Sequence, residues 1–294
     1  MCEKNSPAVT YTYTYIQTSV MRVLSPEALL HHRQRRRRPL CSPAAAASPP
    51  PPPSTRRRRA PAWVPPWPAS RNDDVLDGLA RASLSAALAA PPGRRLVIGL
   101  AGCPGSGKST TAAEVVARCN ALAGTTRFAV VLPMDGFHLS RAQLDGLPNP
   151  EEAHARRGAP WTFDAASFVS AVRDVATLAG RWPVFCPSFD HAAGDPVPNG
   201  VVVRPHHRLV IVEGLYLLLD EPPWSELRPL FNDVWFMDVA PARAGARLAA
   251  RHCSVWGVSK EDAAARVKAS DSLNAELVWP SRARARLLVP SYDT

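Results

Sequence analysis

No two of the chain's six cysteines (Cys2, Cys41, Cys103, Cys119, Cys186, Cys253) stand in a C-x-x-C pair. That scatter argues against zinc sites and supplies no disulfide framework, and it fits a reducing compartment. Long apolar runs are missing too. The best candidate, Leu209 to Leu219, has 11 residues and is interrupted by Glu213, well short of the roughly 20 that cross a bilayer, so no membrane partner is expected. Acid is scarce in one place only: residues 1–70 hold eleven Lys and Arg against Glu3 and Glu27, and so carry +9 of the chain's +10. Residues 71–294 are left at +1. A protein that binds nucleic acid through a folded domain would need that domain to be basic, which argues against a nucleic-acid ligand.

What the first 70 residues do have is Pro, Ser, Ala and Arg, in "HHRQRRRRPL", "SPPPPPSTRRRR" and "APAWVPPWP". Such sequence cannot bury enough apolar surface to fold, and we read it as a disordered basic tail preceding one domain over residues 71–294. A cytoplasmic protein is expected. The Arg- and Ser-rich, acid-poor leader also has the composition of an organellar transit peptide, although its proline runs would interrupt a long amphipathic helix.

Within the domain, "AGCPGSGKSTT" (101–111) follows the apolar run Leu96 to Leu100 and precedes a helical stretch. The spacing Gly102, four residues, Gly107-Lys108-Ser109 fits a phosphate-binding loop, whose consecutive backbone N–H groups cradle phosphate oxygens at a helix N-terminus. Gly102, Cys103, Pro104, Gly105, Ser106, Gly107, Lys108, Ser109 and Thr110 are thus the expected nucleotide-binding residues. Lys108 would place its charge on the β- and γ-phosphates, and the Ser109 hydroxyl would ligate Mg²⁺. Cys103 is either a thiol activated by the helix terminus or a small loop filler. No asparagine is followed by lysine, so the base-reading motif of GTPases is absent, as is the Leu-Ser-Gly-Gly signature of transporter ATPases.

Around the loop, Asp73 to Leu88 reads as a helix stopped by Pro91-Pro92-Gly93. Short apolar runs recur at Leu96–Ala101, Phe128–Leu132, Arg208–Val212, Val234–Val239 and Leu287–Val289, most of them separated by helical stretches. This is the pattern of a three-layer α/β fold, a parallel sheet flanked by helices. Ligands gather at the carboxyl ends of such strands. There the second run leads into Asp135-Gly136-Phe137-His138 and the third into Glu213-Gly214. Two carboxylates beside a phosphate loop suit phosphoryl transfer, one to hold or orient Mg²⁺ and one to accept the proton of an attacking hydroxyl. Either could also merely cap the following helix.

Taken in order, "GCPGSGKST", "MDGFHLS", "RRGAPWTFDAASF", "PSFDHAAGDPV", "VEGLYLLL" and "RLAARH" resemble the P-loop kinases that include uridine kinase, pantothenate kinase and phosphoribulokinase, over residues 71–294. The nearest likeness is to the uridine kinase-like branch of unassigned substrate. The resemblance implies ATP and Mg²⁺ and a small-molecule hydroxyl acceptor, nucleoside-like first, with a pantothenate or sugar kinase or a non-catalytic nucleotide-binding regulator as alternatives. It implies Asp135 as general base, Glu213 as the acidic residue associated with Mg²⁺, and Phe137, His138, Arg157, Asp164, Phe189, Asp190 and His191 as acceptor-pocket residues. Asp164 could instead cap the helix Ala165 to Leu178. Arg243, Arg247 and Arg251 share one helix face, which is either a solvated stripe or, by the resemblance, a mobile lid bringing Arg247 and Arg251 onto the transferring phosphate. "RVKASDSLNAELV" departs from the branch, where Asn-Asp-x-Pro-Asn is usual: Ser270 and Leu273 replace the first Asn and the Pro, while Asp271 and Asn274 remain.

Overall fold

The computed structural model describes residues 72–190 and 192–291. The expected tail and His191 lie outside the described residues. In chain order the elements are α1 (Asn72–Ala89), β1 (Leu96–Ala101), α2 (Lys108–Leu122), β2 (Ala129–Pro133), α3 (Arg141–Asp145), α4 (Pro150–Ala155), α5 (Ala165–Thr177), β3 (Val184–Asp190), β4 (Asp195–Val203), β5 (Leu209–Gly214), β6 (Asp233–Asp238), α6 (Pro241–Trp256), α7 (Lys260–Arg266), α8 (Ser272–Val278) and β7 (Leu287–Pro290). A 3₁₀ turn covers Met134–Phe137, and a π-helical stretch, Val267–Asp271, runs into α8.

The strands β2-β5-β1-β6-β7 form one sheet, and every pairing in it is parallel. Both faces are covered, which is why β1 and β5 are apolar almost throughout rather than alternating with polar residues. Along β5, Val210 and Val212 turn to one core cluster with Phe168, Val169, Val172 and Val175 of α5. Leu209 and Ile211 turn to the other, with Val75, Leu79 and Ala80 of α1 and Val115 of α2. The 3.6-residue stripe of α5 and the two-residue period of the strands meet in these layers. The expected three-layer architecture is therefore present. Among the described residues no helix is long and apolar enough to cross a membrane.

Two features differ from expectation. The run ending at Val212 continues as strand through Glu213 and Gly214, because the ladder to β1 extends to Leu100↔Glu213 and Ala101↔Gly214. The antiparallel hairpin β3–β4 stands apart from the main sheet. Its signals were the Val201-Val202-Val203 run and the turn residue Gly194. Gly136 lets the hairpin close on the β2 turn, since a Cβ there would collide with the Pro187 carbonyl.

Candidate active site

Strand order decides what meets at the carboxyl edge. β2 and β1 are consecutive in the chain, yet β5 lies between them. Glu213, opposite Pro133 of β2 and Leu100 of β1, is thereby set between Asp135 and the phosphate loop. A single cavity of about 1000 Å³ is lined by Pro104, Gly105, Gly107, Lys108, Ser109 and Thr110 of the loop and by both carboxylates.

The loop leaves β1 and enters α2 at Gly107, which sits in the left-handed region at φ 90°. Gly105 lies so close to α6 that a Cβ would strike the Ala244 carbonyl. Lys108 is buried and its Nζ donates to the Cys103 carbonyl at 3.0 Å. Burial lowers its pKa, opposed first by Glu213 and then by Asp135. Ser109 Oγ donates to Glu213 Oε1 at 3.0 Å. Burial and then the Asp135 carboxylate push the Glu213 carboxyl up to about 7, against Lys108 and the Ser109 hydrogen bond. Cys103 is the loop filler. It is fully buried, its Sγ faces the Ala275 carbonyl at 3.8 Å, and burial pushes its thiol up to about 11.

For a divalent cation the available donors are hard oxygens. Among the described residues there is no group of three or more His, Cys, Asp or Glu suited to a metal. One carboxylate touching one hydroxyl beside a phosphate loop fits Mg²⁺, which takes one or two protein oxygens and completes its shell with phosphate and water.

Of the residues that the resemblance places in the acceptor pocket, Asp135, His138, Arg157 and Phe189 line the cavity. The other described ones stand behind it. Phe137 is buried edge-on to Phe168, ring centres 5.0 Å apart. Asp164 caps α5 by accepting from the Ser167 N–H at 3.0 Å, so its capping role is the observed one. Asp190 accepts from the Ala192 and Ala193 N–H groups at 2.8 and 3.1 Å and closes the hairpin turn. On α6, Arg247 and Arg251 face the cavity, and Arg247 also donates to Ser291 Oγ at 3.1 Å. Arg141, His154, Phe163 and Arg266 line the cavity as well and were not singled out from the sequence, where none stands at the end of an apolar run; Asp271, noted there only as a retained position of the altered segment, lines it too. The π-helical stretch carries Asp271 to the wall, where burial raises its carboxyl pKa against Arg266, Arg251 and Lys108.

The acceptor end is aromatic, and two of its polar side chains are already partnered within the protein. His138 lies between Phe163 and Phe189, with ring centres 4.0 and 4.8 Å away. Arg157 stacks on Phe189 and donates through its two terminal nitrogens to the Leu139 carbonyl at 2.8 Å, the Gly194 carbonyl and Asp195 Oδ1 at 3.0 Å. His154 meets Asp145 at 2.7 Å.

A parallel sheet with a phosphate loop after its central strand, two carboxylates at neighbouring strand ends and arginines on a facing helix defines the P-loop kinase class. No protein-family model matches the chain. A Schizosaccharomyces pombe protein named "Putative uridine kinase C227.14" is 44% identical over 186 residues, 63% of this chain and 78% of that protein. The Aspergillus versicolor "ATP-dependent kinase-like protein notR'" is 44% identical over 162 residues, 53% of this chain and 93% of that protein. Among solved structures, a "putative fructose transport system kinase" from Silicibacter sp. TM1040 superposes with a TM-score of 0.62 at 31% identity, covering 74% of this chain and 98% of that one. The chain belongs to the uridine kinase-like family of P-loop kinases.

Proposed function

We propose that the protein transfers the γ-phosphoryl group of ATP to a hydroxyl of a nucleoside-like small molecule. The observation that carries this reading is the shared cavity, whose lining holds Lys108, Ser109, Glu213 and Asp135 together with His138, Phe163 and Phe189. Lys108 binds the β/γ-phosphates. Asp135 accepts the proton of the attacking hydroxyl, and Arg247 and Arg251 close on the transferring group from α6. Mg²⁺, when bound by Ser109 and Glu213, supplies charge neutralisation across those phosphates. Catalysis comes from alignment and electrostatics rather than from covalent steps. A planar acceptor ring suits the His138, Phe163 and Phe189 wall.

The test is an ATP-consumption screen of the purified protein with uridine, other nucleosides, pantothenate and sugars. Consumption with nucleosides is the expected outcome. Turnover of pantothenate or sugars with nucleosides inert would overturn the acceptor assignment. ATP binding with no alcohol phosphorylated would favour a nucleotide-binding regulator.

A further inference from the structure

The acceptor loop is held at one atom. The carbonyl of Gly158, a cavity-lining residue directly after Arg157, accepts the Tyr216 hydroxyl at 2.5 Å and the Asn274 Nδ2 amide at 3.2 Å. A carbonyl oxygen has two lone pairs, and both are used. Tyr216 follows β5, two residues beyond Gly214, and Asn274 lies in α8. One oxygen therefore joins three walls of the cavity. The orientation of the Asn274 amide is fixed by chemistry, because a carbonyl only accepts and the Arg156 guanidinium, 3.4 Å from Asn274 Oδ1, only donates. Asn274 is 3% exposed, so a side chain there without a donor would leave the Gly158 carbonyl short of a partner that water cannot easily replace. Asp271, three residues earlier and on the same side of the helical segment, faces Arg251 and Arg266.

We propose that Asn274 is a positioning residue for the acceptor: through the Gly158 carbonyl it fixes where Arg157, and with it the Leu139 and Gly194 backbone that Arg157 ties, stands relative to Asp135. The inference rests on the kinase reading above. It assigns a role to the Asn274 end of a segment in which Ser270 and Leu273 depart from the branch.

Two readouts test it in the full chain. The first is amide hydrogen exchange, which needs no acceptor. The Leu139, Gly158, Ala159 and Thr162 amides are bonded within this loop, and in Asn274→Ala they should exchange about ten-fold faster, the loss of one buried hydrogen bond, while β1 and β5 amides and ATP affinity stay unchanged. Asn274→Asp, which keeps an acceptor for Arg156 but loses the donor, should behave like the alanine variant. Tyr216→Phe should loosen the same amides, and the double variant should exceed the summed effects, since only it leaves the buried oxygen with neither donor. The second readout is kinetic: with uridine as acceptor, its KM should rise about ten-fold while the KM for ATP stays within two-fold. Unchanged loop exchange in Asn274→Ala, or exchange rising equally across β1 and β5, overturns the proposal, as does an ATP KM that moves in step with that of uridine. If the wild-type protein does not phosphorylate uridine, the nucleoside reading fails and the exchange readout alone decides the role of Asn274.

Discussion

On the proposed function Lys108 and Asp135 have different tasks, phosphate binding and proton acceptance, and their substitutions separate them. Lys108 already sits in the fold with its ammonium satisfied by the Cys103 carbonyl. Lys108→Ala should therefore keep the far-ultraviolet circular dichroism of the wild type while turnover disappears, because phosphate stabilisation is lost and the core is not. Near-normal turnover in a folded variant would sink the kinase reading. Asp135→Asn should keep ATP affinity within a few-fold yet lower kcat by about a hundred-fold, since an amide cannot take a proton. Partial rescue by raised Mg²⁺ would instead place Asp135 on the metal, and unchanged kcat at saturating ligands would move the test to Glu213. A third residue sets acid stability. His207 Nδ1 accepts from the Arg204 N–H at 3.0 Å, so the ring is neutral in the fold, and burial lowers its pKa to about 4. The unfolded chain binds a proton near pH 6.5 that the native state refuses. The His207 contribution is whole above that pH and is lost as pH falls toward 4. Thermal midpoints measured across that window should show uptake of about one proton on unfolding, and His207→Gln should flatten the profile.

At the scale of elements, Arg95 is the buried joint beneath the sheet. From the residue before β1 it donates to the carbonyls of His207 (2.9 Å), Val175 (2.7 Å) and Arg204 (2.9 Å), tying α5 to the turn between β4 and β5. Among the described residues no carboxylate answers it, and burial lowers its pKa to about 10, so it stays protonated at neutral pH. Arg95→Met strands three carbonyls and should cost about 3 kcal/mol, read as a lower urea midpoint at unchanged slope. Arg95→Lys should recover little, because one ammonium cannot span three directions. This joint also marks where reading the sequence stops. The five sheet strands, α1, α2 and α5 were legible because each announces itself by an apolar period and a turn residue, and the phosphate loop because its glycines and lysine have a fixed spacing. Asp135 and Glu213 were legible as strand-end acids. The β5 insertion that sets them side by side was not, since strand order is a property of long-range pairing. Arg95 acts through backbone carbonyls far away in the chain, which leave no local pattern; Arg157 and Asn274 were visible in the family-like segments but their carbonyl partners were not, and the Phe137 and Asp164 side chains turn away from the cavity for packing and capping.

For the whole molecule the charge is lopsided: +9 in residues 1–70 against +1 in the rest. The first 70 residues offer runs of arginine and proline in place of an apolar face. Deleting residues 1–70 should therefore leave the melting temperature within a few degrees and kcat unchanged. A loss of several degrees would show that the segment packs on the domain. What nine excess positive charges can still do is act at a distance on an anionic substrate. At about 0.15 M salt the Debye length is about 8 Å, and at about 0.01 M it is about 30 Å, so such steering fades as salt rises. The KM for ATP of the truncated protein should equal that of the full chain at physiological salt and exceed it only at low ionic strength. Steady-state kinetics of the two proteins across that salt range measure this directly. A KM difference that persists at high salt would mean that the basic segment touches the nucleotide rather than only attracting it.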